Sequence, residues 1–228
     1  MIYTTIFFDL DDTLYPNTNG LWDAIRERMT SYMYARLDLP QDQVPALRRK
    51  YYENYGTTLR GLQIHHHVDV DDYLAYVHDL PLEAYLRPDP ELETLLRHLP
   101  QDKWIFTNAD RDHARRVLAV LNLADYFNGV IDVRAMNFYC KPETQAYRIA
   151  LQAAGESDPR RCVMLDDSPT NLAPARALGF TTILVSKNSP QPSAHHTIPR
   201  LHELLDVMPE LVSGELKWNP ITSSSSSA

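Results

Sequence analysis

The chain has 228 residues, of which 44% are hydrophobic and 23% charged, and this balance predicts a soluble globular protein with one core and a smaller accessory unit. The formal net charge of -8 argues against binding to a nucleic acid polymer or to an anionic membrane surface. With two cysteines, no basic leader at the start and no apolar run as long as a membrane span, a cytoplasmic location is expected. Composition does not distinguish a monomer from a homodimer.

The first predicted element is a buried parallel strand over residues 2–10, a short run rich in Ile, Phe and Thr that ends in carboxylates. Apolar residues at helical spacing follow over 21–37, 44–55 and 70–77. A stretch of about 70 residues without a strand is far longer than an ordinary connection. We therefore interpret residues 17–86 as an inserted, all-helical cap domain.

Strand and helix patterns alternate after residue 87. Candidate strands cover 104–108, 130–133, 162–165 and 181–185. Helical patterns cover 92–99, 113–121, 146–154 and 171–178. Such alternation is typical of a parallel sheet that is doubly wound, with helices on both faces. We therefore assign residues 1–16 and 87–212 to an α/β core, and the serine-rich residues 213–228 to a flexible tail.

The first strand ends in two acidic residues, Asp9 and Asp11. Ligands of open α/β sheets bind outside the carboxyl ends of the strands, and alternation along an extended chain points these two side chains to the same side. Two facing carboxylates are costly without a cation, and a hard ion such as Mg²⁺ takes oxygen ligands. The pair therefore predicts a Mg²⁺ site in which one carboxylate attacks phosphorus and the other carries a proton.

Three further strand ends carry complementary groups. Thr107 and Asn108 offer a hydroxyl and an amide that suit a phosphoryl oxygen. Lys141 supplies positive charge. Asp166 and Asp167 supply further carboxylate for a metal site. Taken singly, such residues often cap helices, form turns or lie on the surface. Four strand ends that each deliver one part of a phosphoryl-transfer site make coincidence improbable.

The four groups stand in the order DLDDT, FTN, CKP and LDDSPTN, which resembles the four motifs of the haloacid dehalogenase superfamily over nearly the whole chain to Val185. The resemblance implies a Rossmann-like core and a phosphatase in which Asp9 attacks phosphorus to give an aspartyl phosphate. Asp11 would protonate the leaving alcohol and then activate water. Thr107 and Lys141 would hold the phosphate and orient the nucleophile.

The same resemblance implies that Mg²⁺ is held by the Asp9 carboxylate, the Asp11 backbone carbonyl and Asp167. Asp166 stands where many members have glycine, so we expect it to support the ligands or to serve as an alternate ligand. Asn171 stands where a second acid is common. Because the dehalogenases attack carbon and lack an acid at the position of Asp11, this residue favours phosphoryl chemistry.

The insert resembles the cap type that closes over small soluble substrates, which excludes water and limits substrate size. Its sequence over 51–89 is also similar to the pyrimidine 5'-nucleotidase branch of the superfamily, which implies nucleoside monophosphates such as UMP or CMP as substrates. The candidates to stack on or hydrogen-bond a nucleobase are Tyr51, Tyr52 and Tyr55, and above all Tyr55. We expect Arg60 to meet a phosphate or carbonyl, and His66 to contact base or ribose. Tyrosines at helical spacing are more often part of a packed core.

Two alternatives stay open at this point. The core fixes the reaction and the cap fixes the substrate, so the chain is also compatible with a phosphatase of other small metabolites, such as sugar phosphates. A non-catalytic, nucleotide-binding regulator would keep the same fold. The intact set of Asp9, Asp11, Lys141 and Asp167 argues against a regulator.

Overall fold

The computed structural model describes residues 2–212, and the flexible tail predicted over 213–228 lies outside this range. Within it, six strands form one sheet: β1 (Thr5–Phe8), β2 (Asp102–Phe106), β3 (Gly129–Ile131), β4 (Cys162–Asp166), β5 (Thr181–Val185) and β6 (His196–Ile198). Neighbouring strands are parallel, in the order β3-β2-β1-β4-β5-β6. This order confirms the predicted parallel α/β fold and adds β6, a short strand that was not predicted.

The helices lie mostly where apolar spacing predicted them. They are α1 (Leu21–Leu37), α2 (Val44–Tyr55), α3 (Thr58–His66), α4 (Val70–His78), α5 (Pro90–His98), α6 (Arg111–Leu121), α7 (Thr144–Ala153), α8 (Pro169–Leu178) and α9 (Leu204–Val207). Only α3 and the one-turn α9 were not predicted as separate helices. None of the helices in the described part of the chain is long and apolar enough to cross a membrane.

Alternate side chains of the central strand β1 pack on opposite faces of the sheet. Ile6 and Phe8 belong to a hydrophobic cluster that includes residues of α5, α6 and α9, whereas Phe7 belongs to a second cluster with α7 and α8. All three side chains are fully buried. Burial on both faces explains why the strand is a continuous apolar run rather than an alternating one.

The helices α1 to α4, which lie within the predicted insert of residues 17–86, share a separate hydrophobic cluster, in which Tyr32, Tyr51 and Tyr73 are the largest buried side chains. Val133 and Cys140, which follow β3, complete this cluster, so the insert packs over the side of the sheet where the strands end. The first turns of α1 pack instead on the sheet, in the cluster of Ile6 and Phe8.

Aspartate side chains fix the start of three helices. Asp69, Asp89 and Asp110 each accept hydrogen bonds from the first free amides of α4, α5 and α6, respectively. Each carboxylate also faces the positive end of the helix dipole, which stabilises the helix start by about 1 kcal/mol. The start of α6 matters for the site because this helix follows directly after the end of β2.

Candidate active site

The strand order reverses at β1, which has β2 on one side and β4 on the other. A crevice forms at the carboxyl ends of the strands at such a switch point. Asp9 follows β1, and its amide donates to the carbonyl of Leu165 in β4 at 2.9 Å. Asp166 ends β4, and Asp167 follows it. The topology therefore brings three of the predicted site residues into one crevice.

Lys141 lies between two buried carboxylates. Its Nζ donates to Asp9 Oδ1 and to Asp166 Oδ2, both at 2.7 Å. The lysine is 1% exposed and Asp166 is 0% exposed. Burial lowers the pKa of Lys141, but the two carboxylates outweigh burial and hold this pKa above its usual range. The ammonium therefore stays charged and supplies the positive charge that a bound phosphate requires.

Asn108 holds the loop that carries Lys141. Its Nδ2 donates to the Lys141 carbonyl at 2.9 Å, and the Lys141 amide donates to its Oδ1 at 2.8 Å. Asn108 also lines the cavity, and its expected contact with a phosphoryl oxygen stays a prediction. A carboxamide can pair with both the N–H and the C=O of one residue, so here it fixes the backbone of Lys141. Asn108 therefore acts on the site through the position of Lys141.

Thr107 precedes Asn108 and is 1% exposed. Its Oγ1 accepts a hydrogen bond from the Ala109 amide at 3.0 Å, which orients the hydroxyl at the edge of the crevice. A hydroxyl that accepts in this way still has a hydrogen to donate to a phosphoryl oxygen.

Thr13 connects the loop after β1, which carries Asp9, to the loop after β4, which carries Asp167. Its hydroxyl donates to Asp9 Oδ2 at 3.1 Å, and its Oγ1 accepts from the Asp167 amide at 3.1 Å. The residue is buried. Sequence reasoning did not assign it a role, although it is the last residue of the DLDDT motif. Its two bonds fix the distance between Asp9 and the loop after β4.

Asp9, Asp166 and Asp167 form a carboxylate cluster in which one oxygen of each lies within 4.8 Å of the others. Burial, followed by the charge of Asp166, raises the pKa of Asp167 to about 7. Burial also raises the pKa of Asp9, although Lys141 opposes this rise. Clustered carboxylates that resist ionisation are stabilised by a hard divalent cation. The donor set therefore fits Mg²⁺.

Asp166 already has several hydrogen-bond partners besides Lys141. The Ser168 amide donates to its Oδ1 at 2.9 Å, and Asn171 Nδ2 donates to both of its oxygens, at 2.9 and 3.2 Å. Asn171, which stands where a second acid is common, therefore contacts Asp166 directly. A carboxylate with this many donors favours the supporting role over direct coordination.

Asp11 is bound by two side chains outside the predicted set. His113 Nε2 lies 3.0 Å from Asp11 Oδ1, and the Tyr15 hydroxyl donates to the same oxygen. Because a carboxylate only accepts, Nε2 carries the hydrogen. Burial raises the pKa of Asp11, but His113 and Tyr15 outweigh burial, and the net direction is downward.

His78, at the end of α4 in the insert, stacks on His113 with ring centroids 4.2 Å apart. Its Nδ1 donates to Asp110 Oδ2 at 2.6 Å. Burial, followed by the neighbouring His113, lowers the pKa of His78. Arg116 donates to the His78 carbonyl at 2.8 Å and so holds the end of α4 against α6. The insert therefore reaches Asp11 through two histidines.

These histidine contacts were missed because their partners are distant in sequence. His113 is 102 residues from Asp11, and His78 is 32 residues from Asp110. The apolar pattern of α6 drew attention to His113 only as a helix residue. One signal in the sequence was available. Asp110 directly precedes the helical pattern and marks the start of α6, which places His113 in the first turn, close to the strand ends.

The crevice opens into a cavity of about 620 Å³ between the core and the insert, a size typical of small-molecule sites. We call its core side the cavity floor: Asp9, Asp11, Thr107, Lys141 and Asp167. We call its insert side the cavity roof: Trp22, Arg26, Met29, Arg48, Arg49, Tyr52 and Tyr73.

The predicted substrate contacts of the insert lie elsewhere. Tyr55, Arg60 and His66 are absent from the residues that line the cavity. The Tyr55 hydroxyl lies 2.8 Å from His65 Nε2, and His66 Nε2 lies 2.8 Å from the Tyr51 hydroxyl. Two tyrosine–histidine pairs therefore join α2 to α3. The rotation of α2 about its axis, which packing decides, turns a different tyrosine of this helix into the cavity.

Gly56 brings the insert into direct contact with the floor. It has a φ of +77°, and a Cβ at this position would lie 2.7 Å from the Lys141 carbonyl oxygen. Both its left-handed backbone and this close approach require glycine. The end of α2 therefore packs on the same peptide unit that Asn108 holds from the other side.

The match to a known family agrees with this geometry. The haloacid dehalogenase-like hydrolase family matches residues 3–179, a range that contains the four strand ends and the insert. The chain belongs to this family. It is therefore a hydrolase of the haloacid dehalogenase (HAD) type, built on the six-stranded parallel sheet described above.

Two named proteins are similar in sequence to most of this chain. Phosphate metabolism protein 8 of Saccharomyces cerevisiae is 29% identical over 192 residues, which cover 78% of this chain and 60% of the yeast protein. Phosphoglycolate phosphatase of Rhodospirillum rubrum is 28% identical over 199 residues, which cover 79% of this chain and 78% of the bacterial protein. The chain thus spans 60% of the yeast relative's length, which is less than two thirds.

A solved structure shares the fold. The HAD-hydrolase YfnB from Bacillus subtilis, bound to magnesium, matches with a TM-score of 0.64 and 15% identity, covering 91% of this chain and 99% of that one. At this identity the likeness concerns the fold, and the chemistry rests on the residues of the floor.

Proposed function

We propose that this hydrolase is a magnesium-dependent phosphomonoesterase in which Asp9 is the covalent nucleophile. The observation that carries the proposal is the floor itself, where the Asp9 carboxylate is fixed at 2.7 Å by Lys141 and at 3.1 Å by Thr13. Nucleophile, positive charge and second carboxylate converge on one cavity. The phosphatase from Rhodospirillum rubrum supports phosphoryl chemistry over attack on carbon.

In the proposed first step, an Asp9 oxygen forms a bond to phosphorus while the bond from phosphorus to the leaving oxygen breaks. Asp11 gives its proton to that leaving oxygen, so the alcohol departs neutral. In the second step, the Asp11 carboxylate takes a proton from water, the water oxygen bonds to phosphorus, and the Asp9 oxygen is released. Phosphate and the free Asp9 carboxylate result.

The contacts of Asp11 suit these steps. His113 and Tyr15 both bond to Oδ1, so Oδ2 is the oxygen that would carry the proton. The lowered pKa of Asp11 keeps this carboxyl ionised, which is the state that can accept a proton in the second step. A phosphate dianion that approaches the floor raises this pKa by like-charge repulsion, which favours the acid form needed in the first step.

Asp9, the Asp11 carbonyl and Asp167 would hold Mg²⁺, and Asp166 would support them. When bound, the ion would offset the charge of the phosphate and of the clustered carboxylates. Thr107 and Lys141 would bind the remaining phosphoryl oxygens. The proposed role of Lys141 is to orient Asp9 and to neutralise charge.

For the substrate, we propose a pyrimidine nucleoside monophosphate such as UMP or CMP, held under the insert acting as a cap. Support comes from the cap sequence and from a roof that combines Trp22 and Tyr52 with basic groups. A second candidate is a small phosphorylated acid, which the arginines of the roof and the Rhodospirillum relative favour. A sugar phosphate fits the same mechanism with less support from the roof.

The test is phosphate release from UMP, CMP, AMP, GMP, 2-phosphoglycolate and glucose 6-phosphate, with Mg²⁺ and with EDTA. We expect turnover that EDTA abolishes, with kcat/KM highest for UMP and CMP. A preference for 2-phosphoglycolate would keep the mechanism and overturn the nucleotide proposal. An absence of turnover of every ester by folded protein would instead favour a binding protein.

The nucleophile has its own test. Asp9→Asn should lower kcat by about 10⁴-fold or more, because a carboxamide does not form the acyl phosphate. Asp112→Asn, the same change at an exposed residue of α6, is the matched control and should leave kcat unchanged. An Asp9→Asn enzyme with full activity would remove the covalent mechanism.

A further inference from the structure

The cavity roof carries positive charge that the described residues do not neutralise. Arg48 is half-buried and lines the cavity, and no ion pair with a carboxylate within residues 2–212 includes it. Its Nη1 donates to Thr30 Oγ1 at 3.0 Å, which fixes the side chain. Its Nε is buried without a hydrogen-bond partner in this part of the chain.

Tyr73 also lines this cavity and carries a second unsatisfied donor. The residue is 1% exposed, and its hydroxyl has no hydrogen-bond partner among the described residues. Burial raises the pKa of Tyr73, which keeps the hydroxyl protonated, and the charge of Arg48 acts on it from nearby. A buried hydroxyl left unpaired costs about 1–3 kcal/mol. Packing alone does not explain why this residue is not phenylalanine.

The neighbouring Tyr32 is a structural tyrosine and serves as a comparison for Tyr73. Its ring packs edge-on against Tyr73 with centroids 5.0 Å apart. Its hydroxyl, however, donates to Asp72 Oδ2 at 2.9 Å and lies outside the cavity lining. One tyrosine of the pair is thus satisfied within the protein, and the other, which lines the cavity, has a buried hydroxyl without a partner among the described residues.

We propose that Tyr73 and Arg48 form a distal subsite that binds an acceptor oxygen of the substrate, at the end away from the phosphate. A phenolic O–H and a guanidinium N–H both donate, so their shared ligand is a carbonyl or anionic oxygen. The ring carbonyl of a pyrimidine and the carboxylate of a small phosphorylated acid both supply one. This inference rests on the proposed phosphatase function and makes the two residues determinants of specificity.

The experiment compares kcat/KM for UMP, 2-phosphoglycolate and phenyl phosphate, the last of which has no acceptor oxygen beyond its phosphate. Tyr73→Phe should lower kcat/KM about 3- to 10-fold for the preferred acceptor-bearing substrate, through KM. Arg48→Met should lower it about 10- to 100-fold. Turnover of phenyl phosphate should stay within about twofold of wild type in both variants. The substrate that loses turnover identifies the source of the oxygen.

Tyr32→Phe is the matched control, because it removes a neighbouring hydroxyl outside the cavity, and it should leave the ratio between substrates unchanged. Equal losses for phenyl phosphate and the acceptor-bearing esters, or no loss with Tyr73→Phe, would overturn the subsite. Phenyl phosphate turnover by wild type tests the phosphatase proposal separately. If wild type hydrolyses no ester, calorimetric titration with UMP and 2-phosphoglycolate decides, and equal affinities of wild type and Tyr73→Phe would overturn the proposal.

Discussion

The floor and the roof of the cavity differ in how far their polar groups are hydrogen-bonded within the protein. On the floor, Asp9 accepts hydrogen bonds from Lys141 at 2.7 Å and from the neighbouring Thr13 at 3.1 Å, so the charged groups are positioned before any substrate arrives. On the roof, Arg48 and Tyr73 keep donors without partners among residues 2–212. A preorganised floor suits a fixed reaction, because its dipoles need no rearrangement in the transition state. Unsatisfied donors on the roof suit discrimination between substrates, because their hydrogen bonds form only when a ligand with a suitable acceptor is bound.

The largest effect is expected from breaking the floor at its centre. Lys141→Met leaves Asp9 and Asp166 buried without their cation, so unfolding free energy should fall by about 3–5 kcal/mol and hydrolysis should be lost. Urea unfolding with and without Mg²⁺ measures this. Lys187→Met, an exposed lysine, is the control. A stable Lys141→Met protein with normal turnover would show that the floor is not preorganised through this residue.

The contact between floor and insert is tested at Gly56. An added Cβ would press on the Lys141 carbonyl at 2.7 Å, so Gly56→Ala should destabilise by about 1–3 kcal/mol and lower kcat by up to about 10²-fold through displacement of Lys141. Gly155→Ala is the matched control, since Gly155 also has a positive φ, of +69°, but no atom within 4 Å of its Cβ position. Equal effects of the two variants would contradict a role for this contact.

A smaller effect is expected where His113 positions Asp11. His113→Asn should lower kcat about 10-fold with little change in KM, because the bond to Asp11 Oδ1 at 3.0 Å is lost. The decisive measurement is a double-mutant cycle with Asp11→Asn. In the Asp11→Asn background the histidine change should have almost no further effect on kcat. Additive losses would indicate that His113 acts only on folding.

The smallest effect concerns pH and stability at the start of α6. Burial raises the pKa of Asp110, but the hydrogen bond from His78 outweighs it and brings this pKa to about 2. A lowered folded-state pKa gives stability that is present above about pH 4 and lost as pH falls toward 2, on the order of 2 kcal/mol. Asp110→Asn keeps a good helix cap, so its deficit in urea unfolding should shrink over this range. A deficit that is constant with pH would refute the assignment.

The parts that sequence could predict are those that strand geometry determines. The carboxyl ends of parallel strands lie at the same edge of the sheet, so polar residues that follow the apolar runs are expected there. Asp9, Thr107 and Asp167 all line the cavity. Helical faces are less determined. Tyr52 and Tyr55 both fit an amphipathic helix, and only tertiary packing of α2 turns Tyr52 inward and leaves Tyr55 beside His65. The amide of Asn108 was ambiguous for a related reason, since phosphate and backbone offer it similar partners.

The stack of His78 on His113 has a consequence for how substrate preference evolves in such a protein. One ring belongs to the insert and the other to the core, and the second ring bonds to Asp11, the residue that we expect to move the proton. If this insert were exchanged for that of another family member, the replacement would bring a new neighbour to His113 as well as a new roof. Substrate preference and turnover would then be inherited together, and selection for a new substrate would act on the rate at the same time.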